Sequence, residues 1–158
     1  MKKLVLLAII GWMSVAAAFG QAVVGDIGYK FKGVKPDGTM VSITYHENSG
    51  MMGLTVKIPS NYDKELRVGA DFGANLAWGN FMLSPYCEVS YSNYSSQADV
   101  AAKSSCFGTG LGVQGLVKIV GPFGVFLRYQ YTIFPLTPQP FNHGESSLMG
   151  GLTLIWLL

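Results

Sequence analysis

Apolar and polar residues alternate at every second position through most of the chain after residue 20. This is the period of a β-strand, and no stretch beyond that point keeps the spacing of an amphipathic helix. In the clearest case, from Glu65 to Leu76, apolar residues take one face, while charged residues, asparagine and glycine take the other. The alternation predicts eight strands, at residues 25–34, 39–47, 51–58, 65–76, 81–94, 104–119, 123–134 and 147–158.

The connections between the predicted strands differ in length. The short ones are 48–50, 76–80 and 120–122, the long ones are 95–103 and 135–145, and the intermediate ones are 35–38 and 59–64. One end of the sheet should therefore carry the tight turns and the other end the loops. A chain of 158 residues without an internal repeat or a linker is expected to form one domain.

The first twenty residues have the pattern of a secretory leader. Two lysines precede an apolar run of fifteen residues, and small residues then occupy positions −3 and −1 before Gln21. This is the anatomy of a cleaved signal peptide. A transmembrane anchor is the alternative, but the run is shorter than the roughly 20 residues of a spanning helix. We therefore expect a signal peptide at residues 1–20 and a β-barrel domain at residues 21–158.

Composition narrows the function classes. Charged residues make up 13% of the chain, against about 25% in an ordinary soluble domain, which argues against disorder and against nucleic-acid binding. Without Lys2 and Lys3 the chain holds nine basic and nine acidic residues, so no electrostatic partner is implied. The 20 glycines and the 20 aromatic residues (9 Phe, 8 Tyr and 3 Trp) are typical of β architectures.

Two architectures fit eight alternating strands behind a signal peptide. A soluble lipocalin-type barrel would turn the apolar face inward around a ligand, and a transmembrane barrel would turn it outward to lipid. Nine strand glycines lie on the polar face and four on the apolar face. An eight-stranded interior is just wide enough for side chains, so glycines on an inward polar face make room for large polar groups. We therefore expect a transmembrane barrel whose polar lumen network comprises Lys57, Arg67, Asp71, Glu88, Gln114 and Arg128.

Aromatic residues cluster at both ends of the predicted strands. The expected aromatic girdles comprise Trp78, Phe81, Phe123 and Trp156 at the short-turn end, and Tyr91 and Tyr131 at the loop end. Two membrane–water interfaces select girdles of this kind. Ordinary core aromatics are the alternative, which the clustering at two ends disfavours.

The C-terminal segment from Gly150 to Trp156 resembles the β-signal that the outer-membrane assembly machinery reads. Gly151, Leu154 and Trp156 carry its glycine and its alternating apolar and aromatic residues. Together with the leader and the eight strands, residues 21–158 resemble the small outer-membrane β-barrel family of OmpX and the OmpA membrane domain. One departure is that the chain continues after the terminal aromatic residue. Another is Pro85 inside a strand, where we expect a local kink or bulge.

The resemblance implies an eight-stranded antiparallel up-and-down barrel in the outer membrane of a Gram-negative cell, with both termini periplasmic. The implied partners are outer-membrane lipid and the β-barrel assembly machinery. The implied role is structural or in surface interactions, with loops 95–103 and 135–145 displayed to an unidentified extracellular ligand. A lumen filled by side chains is expected to conduct little.

The sequence gives little indication of a catalytic site. His46 and His143 are the only histidines, and the sequence contains no HExxH, Walker, CxxC or GxSxG motif. The glycine-rich segment 108–112 precedes no predicted helix that would bind a phosphate. A lipid-modifying barrel enzyme that uses His143 and the following Glu145 and serines is the enzymatic alternative, although a polar loop explains these residues better. We expect no enzymatic activity, no cofactor, no metal and no nucleic-acid partner.

The position assumed for one turn sets the register of two strands and so predicts an ion pair. A tight turn around residues 77–78 would set Asn75 opposite Asn80. Arg67 would then lie opposite Glu88 on the inward polar face. Opposite charges on facing antiparallel positions attract each other, so we expect an Arg67–Glu88 ion pair in the lumen.

Overall fold

The computed structural model describes residues 22–32, 35–47, 49–59, 66–95, 103–133 and 144–157. Nearly all of them lie in strands: β1 (Ala22–Lys32), β2 (Lys35–Glu47), β3 (Gly50–Pro59), β4 (Leu66–Ala74), β5 (Leu76–Trp78), β6 (Phe81–Ser95), β7 (Lys103–Val120), β8 (Phe123–Ile133) and β9 (Gly144–Leu157). No helix in these ranges is long and apolar enough to cross a bilayer. The predicted leader at residues 1–20 lies outside the described residues.

The strands form one closed antiparallel barrel. Apart from β4 and β5, strands that follow each other along the chain pair with one another, and β1 also pairs with β9, which closes the sheet. β4 and β5 are consecutive segments of one barrel strand, separated by Asn75, and both pair with β6. The described residues therefore make an eight-stranded up-and-down β-barrel, which confirms the predicted all-β fold class.

Tight turns lie at one end of the barrel, which we call the turn end. Gly79–Asn80 joins β5 to β6, and Gly121–Pro122 joins β7 to β8. The φ angles of 58° and 55° at Gly79 and Gly121 are left-handed, a conformation that glycine adopts without steric cost in two-residue hairpins. The start of β1 pairs with the end of β9 at this end. The opposite end is the loop end, and most of the predicted loops 95–103 and 135–145 lie outside the described residues.

The β1–β2 hairpin is longer than the sequence predicted. β1 ends at Lys32 and β2 begins at Lys35, so the connection expected at 35–38 is wrong. Most of these residues pair with β1, and a register shift beside Lys30 accommodates one extra residue of β2. An irregularity of this kind tolerates proline and glycine inside a strand, which is why the turn-like composition of 35–38 misled the prediction.

The apolar face of the barrel points outward. Along β8, side chains alternate without exception between exposed and buried. The exposed face is apolar and aromatic, with Leu111 73% and Leu152 66% exposed on the neighbouring strands. The buried face is dominated by polar residues. This arrangement contradicts the soluble lipocalin-type alternative, in which the apolar face would line the interior.

Inward glycines leave space for large side chains. Gly28 and Gly151 lie opposite each other on β1 and β9. A Cβ added to Gly28 would lie 2.8 Å from the Phe126 ring, so the ring packs into a notch of bare backbone. Met40 and Met149 complete a buried apolar cluster around Phe126. Glycine on the inward face therefore lets one aromatic ring fill a narrow interior.

The irregularity expected at Pro85 falls on the neighbouring strand instead. β6 runs through Pro85 with no register shift against β7. The Pro85 carbonyl oxygen faces Gly73 of β4, where an added Cβ would lie 2.3 Å from it. Because the N–H and C=O groups of one strand residue point to the same neighbour, the donor that proline lacks also faces β4. The ladder with β6 accordingly stops at Gly73 and resumes at Leu76, with Ala74 and Asn75 in the gap.

Candidate functional site in the barrel lumen

Charged side chains converge inside the barrel. The six residues predicted for the lumen network are each at most 5% exposed; they are Lys57, Arg67, Asp71, Glu88, Gln114 and Arg128. They come from five strands, and the period of two along each strand turns all of them inward. The structure does not bring them into one cluster. It divides them among a central network, an outer ion-pair group and a small polar group beside Asp26.

Arg128 organises the central network, which comprises Thr55, Lys57, Asp71, Tyr86, Glu88, Arg128 and Gln130. Its Nη2 atom lies 2.8 Å from Asp71 Oδ1. Its Nη1 atom donates to Thr55 Oγ1 at 3.0 Å, and its Nε atom donates to the Tyr86 hydroxyl. The guanidinium carbon lies 4.0 Å from the centre of the Tyr86 ring, which is a cation–π contact. Arg128 and Asp71 are therefore bound to each other and to neutral groups while wholly removed from solvent.

Lys57 and Glu88 form the second ion pair of the central network. Lys57 Nζ donates to the two carboxylate oxygens of Glu88 at 3.1 and 2.9 Å. The Gln130 amide bridges the pair, because its nitrogen donates to Glu88 at 2.7 Å and its oxygen accepts from Lys57 at 2.7 Å. Gly69 leaves the space, since a Cβ there would lie 2.7 Å from the Glu88 carboxyl carbon. Arg128 Nη2 lies 3.8 Å from Glu88 and joins the two ion pairs.

The outer ion-pair group consists of Lys30, Arg67 and Glu145, near the loop end. Arg67 Nη2 lies 2.8 Å from Glu145 Oε2, and Lys30 Nζ donates to the other carboxylate oxygen. Arg67 is buried, whereas the Glu145 side chain is 25% exposed. One carboxylate at the rim of the lumen thus holds two cations.

The expected facing of Arg67 and Glu88 is wrong. Arg67 lies opposite Ser92, and Glu88 lies opposite Asp71. The cause is the position of the turn, because Trp78 pairs with its partner on β6 across Gly79–Asn80 rather than forming the turn itself. Two carboxylates consequently face each other, and the central network separates their charges with one cation each.

A hydrogen-bonded chain at the turn end was missed by the sequence reasoning. His46 Nε2 lies 2.9 Å from Thr44 Oγ1, and His46 Nδ1 lies 3.0 Å from Asn75 Oδ1. The Asn75 amide nitrogen donates to the Gly50 carbonyl at 2.5 Å, and its oxygen accepts from Ser84 at 2.9 Å. The contacts resemble the order of a hydrolase triad, but Thr44 is fully buried, so no substrate reaches its hydroxyl. These hydrogen bonds connect β2 to the break between β4 and β5.

Asp26 and Gln114 belong to a separate polar group in the turn-end half of the lumen. Asp26 Oδ2 accepts from Ser42 Oγ at 2.9 Å and from Gln114 Nε2 at 3.0 Å. Ser42 and Thr153 are the residues directly opposite Asp26 on β2 and β9. Gln114 thus reaches across the lumen to β1, a contact that alternation along β7 does not reveal.

The segment considered for an enzyme is divided between the two faces of β9. Glu145 and Ser147 point inward, whereas Ser146 is exposed on the outside. The Glu145 carboxylate is held by two cations, and His143 lies outside the described residues. The described part of this segment therefore does not form one catalytic group.

The residues predicted for the girdles all lie exposed on the outer face; they are Trp78, Phe81, Tyr91, Phe123, Tyr131 and Trp156. At the turn end, the rings of Trp78 and Phe81 stack with their centres 6.1 Å apart. Toward the loop end, Tyr91 contacts Phe107 edge to face at 5.3 Å. Phe107 was not in the predicted set, although its position on the outer face of β7 follows from the same alternation.

The predicted assembly segment lies in the closing strand of the barrel. β9 pairs with β8 on one side and with β1 on the other. Gly151 lies on the inward face, and Leu154 pairs with Phe123 of β8. The exposed Trp156 ring covers Gly25 of β1, where an added Cβ would lie 3.2 Å from the indole. The segment therefore completes the backbone ladder of the whole barrel.

Solved structures with the same architecture are known. No family model and no curated protein matches the sequence. The N-terminal β-barrel domain of Pseudomonas aeruginosa OprF superposes with a TM-score of 0.72 at 11% identity, over 87% of this chain and 99% of that domain. The Yersinia pestis outer membrane protein Ail gives 0.57 at 13% identity, over 87% and 99%. Neisserial surface protein A gives 0.56 at 12% identity, over 85% and 94%. The chain has the fold of the small eight-stranded outer-membrane β-barrels.

Proposed function

We propose that this protein is a non-enzymatic β-barrel of a Gram-negative outer membrane, with a structural or surface-interaction role. The observation that carries the proposal is the division of its side chains: apolar and aromatic groups cover the outside, and charged groups are paired inside. An apolar outer face of this extent is stable against acyl chains and not against water. The closed ladder leaves no unpaired sheet edge, which the hydrocarbon region of a bilayer requires.

The position of the turns supports a periplasmic location for both ends of the barrel chain. In outer-membrane barrels the short turns lie on the periplasmic side and the longer loops outside. The start of β1 and the end of β9 lie at the turn end, and so face the periplasm. Loops 95–103 and 135–145 are then displayed at the cell surface, where they are the proposed contact for an extracellular ligand.

The packing of the lumen supports a plugged barrel rather than a general porin. The central network holds two cations, Lys57 and Arg128, against two carboxylates, Asp71 and Glu88. The buried cluster of Met40, Phe126 and Met149 adjoins this network, because Met40 lies beside Lys57 and Met149 lies beside Arg128 on neighbouring strands. Eight strands enclose little more than side-chain volume, so these groups occupy the path that ions would take.

Cell fractionation tests the membrane location. The full chain is expected in the outer-membrane fraction after carbonate washing, and the unboiled protein should migrate differently from the boiled one on gels. Recovery in the soluble periplasmic fraction would overturn the proposal. Lipid analysis of cells that express wild type or His143→Ala tests the enzymatic alternative, because a lipid product that only the wild type forms would show an enzyme.

The β-barrel assembly machinery is the proposed partner of the last strand, through Gly151, Leu154 and Trp156. Trp156→Ala should lower the amount of barrel in the outer membrane of cells, while the purified variant refolds in detergent as well as wild type. Trp78→Ala is the matched control, since Trp78 is an exposed girdle residue at the same end. Equal losses for the two variants in cells would contradict a recognition role for Trp156.

A further inference from the structure

A cavity of about 400 Å³ lies at the turn end of the β2–β3 hairpin, and we call it the turn-end cavity. Its described lining residues are Tyr45, Glu47, Ser49, Gly50, Met51 and Met52. Tyr45 lies directly opposite Met52, and Glu47 lies directly opposite Gly50. Both pairs belong to the outward face, because the alternate positions of β2 and β3 are buried inside the barrel. The turn-end cavity therefore borders the outer face of the barrel at the level of the turns.

Gly50 leaves the space opposite Glu47 open. A Cβ added to Gly50 would have no heavy atom closer than 3.8 Å, so no neighbouring side chain fills this position. Ala74, the residue opposite Gly50 on β4, is also small. One step toward the loop end on the same face, Met52 lies opposite Phe72, and these side chains are 45% and 50% exposed. The result is an open notch with exposed apolar side chains directly beside it.

Glu47 is the charged group of the turn-end cavity. Its side chain is exposed, and in the described part of the chain it is in no ion pair, unlike Asp71, Glu88 and Glu145. Lys118, the described cation at the turn end, is on β7, four strands away on the opposite side of the barrel. A carboxylate beside an apolar surface loses part of its hydration and gains from a cationic partner. For Glu47 this partner has to come from outside the described chain.

Building on the membrane location proposed above, we propose that the turn-end cavity binds the headgroup of a phospholipid with a primary ammonium group, such as phosphatidylethanolamine. The ammonium group has three N–H donors for the Glu47 carboxylate. The exposed Ser49 hydroxyl is a donor for the phosphate. The acyl chains then lie along Met52 and Phe72. Choline has no N–H donor and is held by a cage of aromatic rings, whereas Tyr45 is the one aromatic residue among the described lining residues.

A basic side chain of a periplasmic protein is the competing occupant, because it also offers an N–H donor to Glu47. The position of the notch favours lipid, since Met52 and Phe72 beside it are exposed on the face that the proposed function assigns to acyl chains. The two occupants differ in a measurable quantity. Only a lipid site predicts that the barrel distinguishes phosphatidylethanolamine from phosphatidylcholine.

Native mass spectrometry of the full chain, purified from membranes and released from detergent micelles, counts the bound phospholipid molecules. The probes are dioleoyl phosphatidylethanolamine and dioleoyl phosphatidylcholine, which share their acyl chains, their phosphate and their net charge of zero. One molecule of the first should bind about fivefold more tightly than one of the second, the ratio expected for one favourable exposed ion pair. Different migration of boiled and unboiled samples establishes before each titration that the barrel is folded.

Two variants separate the charge of the turn-end cavity from its shape. Glu47→Gln removes the charge with little change in size and should abolish the preference for phosphatidylethanolamine. Gly50→Leu fills the notch from a position where a Cβ has room, and it should abolish the preference as well. Gly115→Leu is the matched control, because Gly115 is an outward glycine of β7 whose added Cβ would lie 3.7 Å from its nearest neighbour. This variant should keep the preference.

Two results would overturn the inference. One is equal affinity of the wild-type barrel for the two lipids, which is the result expected if the cavity receives a protein side chain. The other is a preference that either Glu47→Gln or Gly50→Leu retains, because the lipid would then bind elsewhere. A folded barrel recovered from membranes with either result leaves the proposed function standing. A soluble chain that binds neither lipid would contradict both proposals.

Discussion

Arg128 and Asp71 form an ion pair of 2.8 Å in which both side chains are wholly excluded from solvent. Removing one partner leaves the other charge buried and unpaired, which destabilises a protein by about 3–5 kcal/mol. Arg128→Met should therefore lower the free energy of unfolding by that amount in urea titrations of vesicle-embedded protein. Arg128→Met combined with Asp71→Leu should lose less than the sum of the single changes. If the double variant lost as much stability as the two single variants added together, the two side chains would not interact.

The outer ion-pair group allows a test of strand register. Double-mutant cycles of Arg67→Ala with Glu145→Ala should give a coupling energy above about 0.5 kcal/mol, because the two side chains are in contact. Arg67→Ala with Glu88→Ala serves as the matched cycle, and its effects should be close to additive, since Glu88 is held by Lys57. Coupling of Arg67 to Glu88 in place of Glu145 would restore the register that the sequence predicted.

The notch at Gly28 should not tolerate a methyl group. A Cβ there would lie 2.4 Å from the Gly150 carbonyl oxygen and 2.8 Å from the Phe126 ring. Overpacking of this kind lowers stability by about 1–3 kcal/mol, so Gly28→Ala should unfold at clearly lower urea concentration. Gly115→Ala is the control, because its Cβ would meet Phe81 at 3.7 Å, an ordinary contact distance. Equal midpoints for the two variants would contradict the inward packing.

A charged residue on the outward face near the middle of β7 should destabilise the barrel if that face contacts lipid. Leu111 is 73% exposed there, and an arginine on the lipid face near the bilayer midplane destabilises a barrel by about 2–4 kcal/mol. Leu111→Arg should therefore refold poorly into vesicles, whereas Ser49→Arg in an exposed turn should refold like wild type. Comparable refolding of both variants would place Leu111 against water.

Planar-bilayer recording tests the filled lumen. The central network and the Phe126 cluster occupy the interior of a barrel whose eight strands leave little other space. Wild-type protein should give at most small and rare openings above the baseline of a protein-free membrane. A steady large conductance would contradict the proposal that side chains plug the lumen.

The alternation of residue types was enough to place each predicted lumen residue on the inward face, because a period of two is local to each strand. The partners of those residues depend on register across several strands, which no local pattern contains. Lys57 and Glu88, for example, are 31 residues apart and come from strands that do not pair. The register error arose at one hairpin, where alternation continues through Leu76 and Trp78 up to the turn. The Gly79–Asn80 pair was the available signal, since such dipeptides favour two-residue hairpins.

The seam between β1 and β9 determines when the barrel can form. Lys30 and Glu145 meet across it from positions 115 residues apart, so β1 lacks its second neighbour until almost the whole barrel has been synthesised. Every shorter product is an open sheet with two unpaired edges, which invites aggregation. Contacts between such distant segments also slow folding, because a long loop must close before they form. The chain therefore has no stable partial barrel, and it needs to be kept from pairing with other chains until its last strand can close the cylinder.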